Sequence, residues 1–205
     1  MKILAVGMNY AQHNKELDGT LVIPKEPVIF TKPETALLKD GKPFFLPEDF
    51  GRVDYETELV VRISRLGKNI AQRFAYRYYD AVTLGIDLTA RDMQNRLRSE
   101  GKPWDICKGF DGAAPIGKMI PMTDIADVQN VGFHLDIDGH TVQSGCTADM
   151  LFKVDELIAY ISKFITLKMG DLIFTGTPVG VGPISIGQHL EGYIEDQKVL
   201  EFNVK

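Results

Sequence analysis

Residues 131–144 read VGFHLDIDGHTVQS, and no other stretch limits the fold as firmly. Val131, Phe133, Leu135 and Ile137 alternate with polar neighbours, the period of a strand with one buried face. Asp138-Gly139 then supplies a two-residue turn able to take positive φ. The pattern predicts an antiparallel hairpin of strands 131–137 and 140–144. Further strand-like segments fall at 2–7, 27–31, 53–64, 80–88, 171–175, 189–195 and 198–204. Helical spacing is clear at 154–165, through Val154, Leu157, Ile158, Ile161 and Ile165. Helices are also predicted over 90–99 and 70–78, with a helical turn at 10–17. Strands and helices do not alternate regularly, which argues against a doubly wound parallel sheet. The expectation is an α+β fold on a mixed, mainly antiparallel sheet.

The 205 residues show no repeat, low-complexity segment or linker, so one domain over 1–205 is expected. No apolar run approaches the roughly 20 residues that cross a bilayer, and no membrane partner is expected. MKILAVGMNY has one lysine and no small-residue cleavage site, so it reads as a first strand rather than a signal peptide. Cys107 and Cys146 have neither metal-binding spacing nor a disulfide framework, which fits a reducing cytoplasm. A net charge of −5 argues against nucleic acid as a partner. It leaves an anionic small substrate open, because a few local cations can dominate one pocket.

Three acids carry the chemistry. In VDYETELVVRI (53–63), Glu56 and Glu58 lie two apart and leave the same face of a strand. A solvated edge and a cation held between carboxylates are both open at this point. Asp87 lies between Ile86 and Leu88, where a buried carboxylate must be protonated, hydrogen-bonded, paired or metal-bound. Pairing with Arg91 is the plain alternative. Together the three acids suit a hard divalent ion, Mg²⁺ first, with Mn²⁺ and Ca²⁺ as alternatives that the ligand type leaves open.

His13 and Glu16 stand at i, i+3, so the carboxylate can orient the imidazole as a base; an isolated pair of this kind also occurs on polar surface turns. His134, His140 and His189 read as surface residues. Arg91 and Gln94, also three apart, can reach a substrate carboxylate. Lys108, in ICKGFDG, is either a cation for an enolate or a surface lysine. FTGTPVGVGP (174–183) lacks the Lys-Ser/Thr ending of a P-loop and the GxGxxG spacing. Its glycines suit close backbone approach to a small ligand, with the Thr177 hydroxyl beside it.

VGMNYAQHNKEL, PVIFTKP, VDYETELVVRI, GIDLTARDMQ, PWDICKGFDGAAPIG, TADMLF and GDLIFTGTPVGVGP occur in this order. The series resembles the fumarylacetoacetate hydrolase family over almost the whole chain, in its short, acylpyruvase-like branch. The resemblance implies a mixed β-sandwich roll, usually in homodimers. It places Glu56, Glu58 and Asp87 as metal ligands, and His13 and Glu16 as a catalytic dyad on a lid, residues 11–25. Lys108 matches an active-site lysine; Arg91, Gln94 and Thr177 match substrate contacts. Gly109 and Cys146 depart from the family pattern, and Gly109 is expected to alter the pocket floor.

The resemblance implies Mg²⁺-dependent cleavage of a 3-acylpyruvate to pyruvate and a carboxylic acid, by water that His13 activates. Oxaloacetate decarboxylation and oxo-acid isomerisation are the alternatives through the same enolate. A non-catalytic module holding a divalent ion and a dicarboxylate would need the acids and Arg91, but neither His13 nor Lys108.

Overall fold

Strand alternation dominates the chain and yields two large sheets that share their apolar faces, with a three-stranded sheet around Val53–Tyr55 and a two-stranded one beside them. The computed structural model describes residues 1–19 and 23–205. In chain order its longer elements begin with β1 (Ile3–Gly7), α1 (Ala11–Asp18), β2 (Val28–Lys32), β3 (Val53–Tyr55), β4 (Thr57–Ile63) and β5 (Tyr79–Ile86). Next come α2 (Arg91–Ser99), α3 (Asp105–Lys108), β6 (Gly132–Ile137), β7 (His140–Cys146) and α4 (Val154–Phe164). β8 (Leu172–Phe174), β9 (His189–Ile194) and β10 (Gln197–Asn203) complete the set. Residues 20–22 of the candidate lid lie outside the described residues.

One sheet has six strands in the order β2, β1, β8, β4, β5 and the short strand Ile120–Pro121. Only β1 and β8 pair in parallel; their neighbours in the sheet run antiparallel. The second sheet is β7, β6, β9, β10, antiparallel throughout. Leu59, Val61, Leu84 and Phe174 of the first sheet and Phe133, Leu135, Leu190 and Phe202 of the second belong to one apolar core. α4 adds Val154, Leu157, Ile158 and Ile161 to it, the residues its periodicity had marked. This is the α+β architecture expected from the pattern, and the 131–144 hairpin forms with positive φ at both Asp138 and Gly139.

Two expectations change in detail. The strand predicted over 53–64 breaks at Glu56, because the Thr57 N–H is taken by Gln143 Oε1 of β7 at 3.0 Å instead of by a strand partner. The helix predicted over 70–78 is a 3₁₀ helix, Gln72–Arg77. Six residues are too few to nucleate an α-helix alone, and short i→i+3 turns are the usual outcome at that length.

Candidate active site

The site lies where β4 begins and β5 ends. The two strands pair Thr57 with Ile86 and Glu58 with Gly85, so the residues just outside the ladder, Glu56 and Asp87, are also adjacent. The Asp87 N–H donates to the Glu56 carbonyl at 2.8 Å and fixes them side by side. Glu56, Glu58 and Asp87 are all buried, and each offers a carboxylate oxygen within 4.8 Å of the others. The solvated-edge reading of 53–63 is therefore excluded.

Cations answer these charges. Lys108 Nζ lies 2.7 Å from Glu56 Oε2, 2.8 Å from Asp87 Oδ2 and 2.7 Å from Thr89 Oγ1. Arg91 directs Nη2 to Glu56 Oε1 at 2.5 Å, Nε to Asp54 Oδ2 at 2.8 Å and Nη1 to Gln94 Oε1 at 2.5 Å. The partners of Asp87 are thus lysines rather than Arg91, and Lys108 is buried instead of a surface lysine. The second lysine, Lys32, was not a sequence candidate. Its Nζ lies 2.6 Å from Asp87 Oδ1 and donates to the carbonyls of Lys108 and Ala113.

The pKa directions follow from this network. Burial raises the Glu56 carboxyl, but Lys108 and Arg91 more than reverse that and hold it well below the usual range. Glu58 has no such partner. Burial, with the charges of Asp87 and Glu56, pushes it well above the usual range despite a 2.7 Å bond from the Gly176 N–H. Burial lowers Lys32, and Asp87 only partly offsets this. Burial also opposes the charge on Lys108, but the Asp87 and Glu56 carboxylates outweigh it and raise that group.

The donor set fits a hard divalent cation. It is all oxygen, pre-assembled, and contains one carboxylate, Glu58, whose ionisation lacks a cation of its own. Four buried acids, Asp54, Glu56, Glu58 and Asp87, face three buried cations, Lys32, Arg91 and Lys108. A divalent ion with Glu58 ionised would leave the cluster one charge positive, suited to an anionic substrate. His189, Glu191 and Glu201 come equally close at the surface, but Lys198 lies 2.8 and 2.7 Å from those two glutamates and accounts for the grouping.

α1 brings the dyad over this cluster. His13 is buried, and its Nδ1 lies 3.2 Å from Glu16 Oε2. The carboxylate accepts, so Nδ1 carries the proton and Nε2 keeps its lone pair. Glu16 also accepts from the Gly180 N–H at 3.2 Å, which ties α1 to the 174–183 loop. The glycines of that loop thus serve the site's carboxylates: Gly180 holds Glu16, and Gly176 holds Glu58. Gly176 has φ +100°, and a Cβ there would meet Asn9 Cβ at 2.7 Å, so no other residue fits without a shift.

Eight of the nine residues singled out in the sequence line one cavity; Glu16 stands behind His13. Thr177 lines it too, although its hydroxyl donates to the Thr57 carbonyl at 3.0 Å and accepts from Gln143 at 2.8 Å. Gly109 is not in the pocket floor. A Cβ there would meet the Asp105 carbonyl at 2.6 Å and Pro33 Cδ at 2.8 Å, so its glycine serves the packing of α3 on β2. The structure adds Phe30, Trp104 and Arg98 to the walls.

A mixed two-sheet fold with a buried acidic triad and a His–Glu pair on an overlying helix defines a family. The chain belongs to the fumarylacetoacetate hydrolase family, matching its C-terminal family over residues 2–205. Among its relatives, a mitochondrial oxaloacetate tautomerase of Arabidopsis thaliana is 40% identical over 204 residues, 100% of this chain and 91% of that protein. A mitochondrial oxaloacetate decarboxylase of Dictyostelium discoideum is 43% identical over 188 residues, 91% of this chain and 85% of that one. The fumarylpyruvate hydrolase of Pseudomonas aeruginosa, solved with Mn²⁺ and pyruvate, superposes with a TM-score of 0.92 at 33% identity, covering 100% and 89% of the two chains.

Proposed function

We propose that the chain is a divalent-metal-dependent enzyme of small oxo-acids, with keto–enol tautomerisation of oxaloacetate as its leading reaction. The observation that carries this reading is the His13–Glu16 pair at 3.2 Å, set on the same cavity as the triad. Enolisation needs a positioned base beside a centre that accepts negative charge, and both are built here. The tautomerase relative, similar over the whole chain, supports it.

Glu56, Glu58 and Asp87 would hold Mg²⁺ or Mn²⁺, which when bound supplies Lewis-acid stabilisation of charge on a substrate oxygen. His13 Nε2 takes the proton from the carbon between the keto group and the distal carboxylate, and its conjugate acid returns a proton to the opposite end. Glu16 stabilises the imidazolium formed in between. Lys108 adds positive charge to the wall where the enol oxygen develops. Gln94 and the exposed Arg98, on one face of α2, are suited to the distal carboxylate. Phe30 and Trp104 exclude water from the reacting carbon.

Cleavage of a 3-acylpyruvate is the second reading. The same dyad could activate water, and the likeness to a fumarylpyruvate hydrolase favours it. One experiment separates the readings: enol-oxaloacetate decay, oxaloacetate decarboxylation and pyruvate release from acylpyruvates, compared as kcat/KM at saturating Mg²⁺. Tautomerisation is expected to be fastest. A larger value for acylpyruvates would replace it with hydrolysis, and no turnover of any substrate would leave a binding module. We also propose a homodimer, supported by exposed Met1, Phe45 and Ile106 beside hollows framed by Phe50 and Phe110. A monomeric mass by light scattering at micromolar concentration would set that aside.

A further inference from the structure

The far ends of β4 and β5 carry a surface that the oxo-acid chemistry does not use. Two segments meet there, 64–79 and 157–170. Gly67 and Leu167 exchange backbone hydrogen bonds of 2.9 and 2.8 Å, and Asn69 N–H donates to the Ser162 carbonyl at 2.9 Å. These thirty residues hold Arg65, Lys68, Arg73, Arg77, Lys163 and Lys168 and not one aspartate or glutamate, in a chain with 28 acids and 23 bases. The basic patch is therefore hidden by the net charge of −5.

None of the six cations makes an ion pair among the described residues. Lys68 Nζ donates to a backbone carbonyl, and the guanidinium groups of Arg73 and Arg77 lie over the Phe74 ring at 4.8 and 5.1 Å. Acids border the patch: Asp80 pairs with Arg62, Glu26 meets Tyr160, Asp155 accepts from the Tyr79 hydroxyl at 3.1 Å, and Asp171, paired with Lys2, accepts from the Lys168 N–H at 2.7 Å. The patch is also apolar. Of eleven exposed large hydrophobic residues in the described chain, five are here: Leu66, Phe74, Tyr76, Phe164 and Met169. Leu66, Phe164 and Met169 are 71%, 67% and 77% exposed, an arrangement that costs solvation free energy unless something covers them.

We propose that this surface docks reversibly on an anionic lipid bilayer. Cations interleaved with protruding apolar side chains match a charged headgroup layer above an acyl boundary. Leu66 and Met169 stand in a loop and a turn, Phe74 and Tyr76 on the 3₁₀ helix and Phe164 at the end of α4; none lines any of five hollows on the described surface, so the patch suits a broad plane better than an inserted peptide. A second copy docking patch to patch would oppose six cations to six. Nucleic acid would use the arginines and aromatic rings but leave Leu66 and Met169, the most exposed aliphatic groups here, without a partner. The sequence expectation of no membrane partner rested on the absence of a spanning segment, and the net charge of −5 is a sum over the whole chain. Neither describes this face. β4 spans seven residues, roughly 20 Å at 3.3 Å each, so docking leaves the active site at the other end open.

Co-sedimentation of the full chain with phosphatidylcholine vesicles, with and without 30 mol % phosphatidylserine, tests this. Binding is expected only with the anionic lipid, and should fall at least tenfold between about 50 and 300 mM salt. Arg65→Glu with Lys168→Glu should weaken it at least tenfold, and Leu66→Ser with Met169→Ser severalfold, with oxo-acid turnover and thermal midpoint unchanged. Absence of binding by the unsubstituted chain, equal binding to neutral vesicles, or binding indifferent to the charge reversals would overturn the proposal. So would tighter retention of duplex DNA or polyglutamate than of vesicles. Conversion of a dimer to a monomer by Leu66→Ser with Met169→Ser would reassign the patch to self-association.

Discussion

The two ends of the β4–β5 hairpin hold charge in opposite ways. At the Glu56–Asp87 end, three buried cations are each within 2.8 Å of a buried carboxylate oxygen. At the opposite end, where 64–79 meets 157–170, six cations stand in solvent with no ionic partner among the described residues. Water and salt screen the second group, so its charges act on one another weakly and contribute little to folding. Low dielectric makes pairing obligatory in the first group, where one missing partner exposes the whole desolvation cost of the other.

The sharpest way to break that contrast is to remove one lysine from each end. Lys32→Met takes a cation from Asp87 in the core and should cost about 3–5 kcal/mol of stability, or roughly 10 °C in Tm. Lys168→Met, on the exposed end, should stay within about 0.5 kcal/mol. Denaturant melts of both variants decide it. Similar losses would mean that Lys32 is not an obligatory partner.

Next in size is the metal. Exhaustive chelation should lower turnover on the order of 10³-fold, with recovery on adding Mg²⁺ or Mn²⁺. Stability should respond as well, with a definite sign. A carboxyl raised in the folded state, as Glu58 is, stabilises below its unfolded pKa, and that contribution is lost as pH rises through the folded value. The chelated chain should therefore lose Tm with rising pH, and chelated Glu58→Gln should lose less. Parallel curves for the two would remove Glu58 as the strained member.

His13→Ala should cost at least about a hundredfold in kcat for tautomerisation, the usual worth of a general base. Fold should be preserved, because α1 lies over the cluster rather than in it. Unchanged kcat at equal metal occupancy would exclude His13 as the base.

Local period explains what the sequence revealed and what it concealed. Asp54, Glu56 and Glu58 alternate in the sequence, and that pattern marks the last two for the triad; Asp54, the anchor of Arg91 Nε, follows the same alternation although the strand itself breaks at Glu56. Lys32 was legible in principle, since it alternates with Phe30 on β2 and Phe30 lines the cavity. Yet a lysine before Pro33 has the local pattern of a strand end in solvent, and nothing beside it in the sequence marks it as buried. Arg98 lies two helical turns beyond Arg91, so the face of α2 announced it as well. The packing that buries Lys32 was not legible. It depends on α3, a four-residue helix whose Gly109 sits against Pro33, and a segment so short carries no period. The pairing of β1 with β8 was likewise hidden, because partners nearly 170 residues apart leave no local signal.

The smallest effect concerns the α1 carboxylate that stands behind His13. Glu16 is partly exposed, yet it holds both the buried His13 and the Gly180 N–H. Glu16→Gln keeps an acceptor for Gly180 and for the imidazole N–H but removes the charge that favours the imidazolium. If orientation alone matters, kcat should barely change. If the charge matters, kcat should fall about tenfold, the equivalent of roughly 1.4 kcal/mol, while KM stays near its original value because the closing contact survives. Glu16→Ala removes both functions, so it should lower kcat further and raise KM, with faster proteolysis within α1. The split between kcat and KM in the two variants distinguishes a charge that assists proton transfer from a latch that holds α1. Equal kinetics for Gln and Ala would show that the Gly180 contact contributes nothing, and the tie between α1 and the 174–183 loop would then be incidental to turnover.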